Sequence, residues 1–186
     1  MGGTSGAAPL AEVRREGAPR DQLRHLRSDL RALTRGRWQR VPLVVCSEAF
    51  AMVAFYRLNR AAFLAIGRAW SAFRTVLVPL NPLLRIFVPC EIDYRADLGP
   101  GLRILHPQLG VVIGAGVTAG AGLILAGGNT IGDGSPRLGD HVQLGANAVV
   151  AGDVTLGDRV VIGAGAVVVK DFAGPGVLVG VPAHPV

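Results

Sequence analysis

Besides its carboxylates, the 186-residue chain has four histidines and two cysteines that could serve as base, nucleophile or metal ligand near neutral pH. Cys46 and Cys90 are isolated among apolar neighbours. That spacing suits neither a zinc site nor a redox pair, so buried thiols are expected. His106 and His141 lie 35 residues apart in the second half. A catalytic zinc needs three convergent protein ligands, so this pair predicts no metal site. His106 is distinguished by its place, inside an interruption of an otherwise regular repeat, and such insertions form loops that are often functional. On its own, a loop histidine reads as a solvated side chain.

The repeat positions everything else. An aliphatic residue returns every sixth position at Ile92, Leu98 and Ile104, then at Ile113, Ala119, Leu125 and Ile131. After one extra residue it resumes at Leu138, Leu144, Val150, Leu156, Ile162 and Val168, and glycine follows in eight of the thirteen cases. A six-residue period is too short for a helical repeat and fits a parallel β-helix, one short strand and turn per hexapeptide. The aliphatic residue is expected to point inward, and the glycines to supply the backbone angles of tight corners. Three hexapeptides make a coil, so residues 92–168 predict a little over four coils. Two interruptions stand out. Nine residues replace six between Ile104 and Ile113, and a single extra residue falls near Asp133-Gly134-Ser135-Pro136.

The first half is a different kind of structure. Residues 1–90 carry 14 Arg and 5 acids, a balance of +9, whereas residues 91–186 balance at −3. Six glycines precede residue 91 and twenty follow it. Residues 1–20 predict a disordered tail, and 21–90 a helical cap. Within the cap, Asp21 can cap a helix carrying Leu23, Leu26, Leu30 and Leu33 at helical spacing, which Gly36 can end. A second helical region is expected from Ser47 to Val78, with Arg57, Arg60 and Arg68 on one stripe and Phe50, Phe55, Leu58 and Phe63 mostly on the other side. Pro79 and Pro82 break it. The longest uncharged apolar stretch in this half, Thr75 to Leu84, falls short of the ~20 residues of a membrane span. A basic helix near Trp38 and Trp70 allows a weak contact with an anionic membrane surface. The absence of an aromatic-interleaved basic groove and of zinc-finger spacing predicts no nucleic-acid partner.

The chain resembles the serine acetyltransferase branch of the hexapeptide-repeat acyltransferases over about residues 48–186. The resemblance rests on Phe50, Tyr56-Arg57-Leu58, the run Gly99-Pro100-Gly101-Leu102-Arg103-Ile104-Leu105-His106-Pro107, Gly110-Val111-Val112-Ile113-Gly114, residues 162–168, and Gly180-Val181-Pro182-Ala183. It implies an α+β architecture, an N-terminal α-helical region followed by a left-handed parallel β-helix over 91–173 with a C-terminal tail over 174–186. It also implies a homotrimer that uses acetyl-CoA, while the isolated cysteines point to a reducing cytoplasm and the histidine count to no metal. By position His106 matches the family's general base and Glu91 the acid that orients it. Asp93 is a fallback partner, because residues flanking inward-pointing Ile92 face outward. Gly145, Ala146, Gly163 and Ala164 match positions where small corner residues admit the pantetheine chain, and Lys170 suits a phosphate contact.

The departures concern the acceptor. Besides His184, which replaces the family's usual basic residue after the final Pro-Ala at the donor's phosphate contact, Leu105 stands where serine acetyltransferases have an Asp and Gly134-Ser135 where they have Arg-His. The missing groups would hold an amino acid's charged ends. The expectation is therefore acetyl transfer to another hydroxyl, of a small molecule or saccharide. Asp29 is a further acceptor-site candidate. Serine O-acetylation and a non-catalytic trimeric scaffold are the alternatives. A metal hydratase of the gamma carbonic anhydrase kind, which shares the solenoid, is opposed by the lack of a third histidine in the repeat.

Overall fold

The computed structural model describes residues 18–76 and 90–186. The expected disordered tail falls mainly on residues 1–17, outside the described residues, as do Val78, Pro79 and Pro82. Ala18 to Arg20 instead open the first helix. The cap comprises α1 (Pro19–Thr34), a 3-10 turn (Trp38–Arg40), α2 (Val41–Val45), α3 (Glu48–Ile66) and α4 (Arg68–Val76). Asp21 sits inside the first turn of α1, where its carboxylate accepts the Ala18 N–H at 3.0 Å. Ser47 caps α3 by accepting from the Phe50 N–H. The long second helix is broken at Gly67 (φ +56).

A parallel β-solenoid follows. Its first face stacks β1 (Glu91–Ile92), β4 (Val111–Ile113), β7 (Asn129–Gly132), β10 (Val149–Ala151) and β13 (Val167–Val168). The second holds β2 (Asp97–Leu98), β5 (Thr118–Ala119), β8 (Arg137–Leu138) and β11 (Thr155–Leu156). The third holds β3 (Arg103–Ile104), β6 (Ile124–Leu125), β9 (Gln143–Leu144), β12 (Val160–Ile162) and β14 (Gly176–Val179), closed by antiparallel β15 (His184–Pro185). Five strands on the first face mean about five coils, and β14 pairs in parallel with β12. The segment beyond residue 173, expected as a tail, thus completes the solenoid.

Twelve of the thirteen repeat positions are buried, and Ile92 is half-buried. Each inward aliphatic side chain stabilises the prism by roughly 1.5–3 kcal/mol. A second inward position lies two residues earlier, at Ala96, Leu102, Val111, Val117, Leu123, Val142, Ala148, Val154, Val160 and Ala166. Alternation across a short strand puts both on one side. The glycines after the aliphatic residues have a different reason from the one expected. None of those eight has a positive φ. A Cβ on Gly99 would lie 2.5 Å from the Gly120 carbonyl oxygen, so the coils stack too closely there for a side chain. The left-handed corner comes two residues later, and His141 and Asn147 adopt it as well (φ +58 each).

The cap reverses the expected orientation of α3. Arg57 and Arg60 are 1% and 4% exposed, whereas Phe55 and Leu58 face outward. Among the described residues, α3 is the one helix long and apolar enough to cross a membrane. Its central arginines, however, bind the solenoid. Arg57 donates through Nε and Nη2 to the Asp29 carboxylate (2.8 and 3.3 Å), through Nη1 to the Leu98 carbonyl (2.6 Å) and Gln22 Oε1, and through Nη2 to the Gly99 carbonyl (2.6 Å). All five guanidinium N–H groups thereby have acceptors. Asp29 Oδ1 also accepts the Gly101 and Leu102 N–H groups at 2.7 and 2.8 Å. Tyr56 donates its hydroxyl to the Ala96 carbonyl, and Arg60 pairs with Asp97 at 2.7 Å. In α1, Gln22 and Asp29 are buried while Leu23 is half exposed, so the inward side of that helix carries polar groups beside Leu26, which packs against the core. Cys46 is exposed rather than buried, just past the end of a five-residue helix whose Leu43 and Val45 are also outside.

Removing one partner of a buried pair leaves the other charge uncompensated, typically at about 3–5 kcal/mol. Arg57→Met and Asp29→Ala are each expected to lower stability by that amount in chemical denaturation, and the double variant by less than their sum. His25 is half-buried within 3.5 Å of Arg57, and burial, then the Arg57 charge, lower its pKa below 6.5. The unfolded chain therefore takes up this proton first, and stability is lost as pH falls below about 6.5. Thermal melts from pH 7.5 to 5.5 should show the decline, flattened in His25→Gln.

Candidate active site

The predicted base and most predicted donor residues fall on one edge of the prism. Four corners join the third face to the first along this edge. His106 lies in the first, between β3 and β4; Ala126-Gly127-Gly128 form the second, Gly145-Ala146 the third and Gly163-Ala164 the fourth. Adjacent strands are ~4.8 Å apart, so His106 and Gly163 stand three coils, about 14 Å, apart along the edge.

The nine-residue interruption makes the first corner protrude. His106 is exposed and followed by a 3-10 turn, Pro107–Leu109. The base of the loop is bonded to the next coil, His106 N–H to the Ala126 carbonyl at 3.0 Å and Gly128 N–H to the Gly110 carbonyl at 2.6 Å. Glu91 is exposed at the start of β1, on this same edge, in register with Val112 of β4. The two segments meet directly beside the pair, since the Cys90 thiol donates to the Pro107 carbonyl at 3.5 Å. Burial pushes the Cys90 thiol up to about 11, so it stays protonated and is no nucleophile. Asp93 does not serve as the fallback partner. Its carboxylate is held by the Arg95 backbone N–H, Nε and Nη2 at 2.8–3.0 Å. Burial opposes its ionised form, but those bonds keep the carboxyl below the usual range.

The other expectations divide. Gly145 stacks on the fourth corner, where a Cβ would come 2.5 Å from Ala164 N, so coil packing accounts for this glycine. Ala164 and Gly165 are exposed, with open space above Gly165. Lys170 is exposed but lies beyond β13, on the edge between first and second faces, and within one chain it does not join the column. Gly134-Ser135 occupy that same second edge. His184 is exposed on β15 against the third face. His141 is an exposed corner residue packed over Gly122. Among the described residues no three His, Cys, Asp or Glu side chains gather as metal ligands. Asp29 is fully buried and bonded to Arg57, Gly101 and Leu102, so it cannot touch an acceptor. Instead, Leu105 and Leu109 in the His106 loop and Val112 in the strand after it are between 44% and 57% exposed.

Residues 135–170 match the family model of the bacterial transferase hexapeptide (six repeats). The serine acetyltransferase of Neisseria gonorrhoeae is 29% identical with a TM-score of 0.73, over 90% of this chain and 65% of that one. The chain thus carries a hexapeptide repeat over residues 135–170 and shares the fold of serine acetyltransferases. It therefore spans slightly under two thirds of the gonococcal enzyme, which has also been solved with serine. The soybean serine acetyltransferase is similar at 26% identity and a TM-score of 0.72, covering 89% of this chain and 69% of that one. A serine acetyltransferase solved with CoA shares the fold at 22% identity. No curated protein sequence matches the chain.

Two residues of this hexapeptide-repeat chain escaped the sequence reading. Gly127 has φ +128, and a Cβ there would lie 2.5 Å from the His106 carbonyl oxygen. Asn129 occupies an inward position otherwise held by apolar residues. It is 1% exposed, accepts the Gly127 N–H and donates to the Gly145 carbonyl, tying the second corner to the third. Its polarity inside an aliphatic series was the available signal. Gly127→Ala is expected to displace the His106 loop, measured as faster amide exchange over residues 105–110. Gly152→Ala, with φ +87 but open space, should leave that exchange unchanged.

Proposed function

We propose that the protein is an acetyl-CoA-dependent O-acetyltransferase with His106 as general base. The observation that supports this most is the shared edge: an exposed histidine and a nearby carboxylate at one end of a column of small corner residues. The similarity to serine acetyltransferases supports the reaction class, with CoA thioester as donor. In the step proposed, the acceptor hydroxyl oxygen attacks the thioester carbonyl as His106 takes its proton. The carbon–sulfur bond then breaks, and the imidazolium returns the proton to the CoA sulfur. Glu91 orients the ring and offsets its charge. Backbone N–H groups at the corner stabilise the oxyanion. Gly145, Ala146, Gly163 and Ala164 would let the pantetheine lie along the edge.

The same reading includes a trimer, a left-handed winding and a cytoplasmic location. Six of the ten outward residues in register on the first and third faces are apolar (Val112, Val149, Val167; Ile124, Val161, Val177), beside Glu91, Thr130, Arg103 and Gln143, whereas the second face shows Asp97, Thr118, Arg137 and Thr155. Packing apolar faces of neighbouring copies would bring Lys170 and Gly134-Ser135 of one copy beside the His106 edge of the next.

The acceptor we favour is a hydroxyl compound without the paired charges of an amino acid, because Leu105, Leu109 and Val112 flank His106. Serine acetylation is the second reading, favoured by the likeness to an enzyme solved with serine. Thiol release from acetyl-CoA should be followed with L-serine and with uncharged small-molecule and saccharide hydroxyls. His106→Ala is expected to cost about 10²–10⁴ in turnover with the fold intact; full activity in that variant removes the mechanism. L-serine as the fastest acceptor selects the second reading.

A further inference from the structure

Of the expected basic stripe, Arg57 and Arg60 are buried on α3 and Arg68 is exposed at the start of α4, but a further stripe is exposed on α1. Arg20, Arg24, Arg27 and Arg31 are all exposed. At about 100° per residue they fall within roughly 60° of arc and run for about 16 Å along the helix. The opposite side carries the buried Gln22 and Asp29, so the cap's own packing holds the arginines outward. Arg35, Arg37 and Arg40 continue the positive charge into the connector, all exposed. The one acid between Ala18 and Arg40 that is not fully buried is Asp21, paired to Arg24 at 3.4 Å. Large apolar side chains accompany the charge: Trp38 is 78% exposed, Leu43 77% and Leu23 52%.

We infer that this arginine arc with its apolar flank docks on an anionic lipid surface. Arginines positioned beside exposed aromatic and aliphatic groups match the two layers of such a surface. The guanidinium groups meet phosphate headgroups, while Trp38, Leu23 and Leu43 enter the headgroup–acyl boundary. A nucleic-acid backbone would also attract the arginines but would leave those apolar groups wet. The lipid surface therefore suits the whole patch. The solenoid, with a balance of −3 after residue 90, would be held away from the lipid by the cap. The inference does not depend on the reaction at His106.

The test is flotation of the full chain with phosphatidylcholine vesicles, with and without phosphatidylglycerol. Binding is expected only to the anionic vesicles, weakening as salt screens the charges. Each arginine contributes roughly fivefold, so Arg24→Gln, Arg27→Gln and Arg31→Gln together should lower partitioning on the order of 100-fold. Lysine at the same three positions should retain most binding, and Trp38→Ala should lose several-fold without altering the salt dependence. Equal binding to neutral and anionic vesicles, an unaffected triple Gln variant, or binding to duplex DNA with none to vesicles would each overturn the inference.

Discussion

A parallel solenoid has an end problem, and here the buried Arg57–Asp29 pair resolves it. The first coil presents backbone groups with no preceding coil to bond them, and burying such groups unpaired is costly. Arg57 supplies donors to the Leu98 and Gly99 carbonyls, and Asp29 accepts from Gly101 and Leu102. Two side chains from two helices thus act as the missing strand. Their opposite charges need each other, which is why neither functions alone. Tyr56 and Arg60 extend the seam toward Ala96 and Asp97.

The clamp has a consequence for the candidate site. The bonded segment, Leu98 to Leu102, leads within four residues to His106. On the other side, the loop rests on Gly127, whose neighbourhood is tied by Asn129 to the next corner. An exposed histidine on an inserted loop is thereby held from the cap and from the second coil. The protrusion is specific to the first corner, while later corners stay tight and small. One edge of the prism accordingly offers both a projecting histidine and a row of small corner residues.

Much of this was legible in the residues. The six-residue series identified the inward column, and the nine-residue interval marked the protruding corner. Where the reading failed, partnering was the reason. Helical periodicity correctly put Arg57 and Arg60 on one side of α3 but could not say which side the solenoid covers. The apolar Phe55 and Leu58 were the natural choice for the interior, yet the open coil end needed donors. Glycine likewise carries two meanings in sequence. Left-handed backbone and lack of room look alike, and Gly99 and Gly145 answer to the second.

The sequence alone thus determined the period, the number of residues per coil and the place of the inserted histidine, because these follow from local spacing along one chain. Tertiary structure decided which corners share an edge, separating Lys170 from Gly145 and Gly163. It also decided that Asp29 is a buried clamp rather than a site residue, and that the outward charge belongs to α1 rather than α3. Such properties depend on which backbone groups lack partners once coils and helices meet. That need arises only from contacts between residues far apart in the chain.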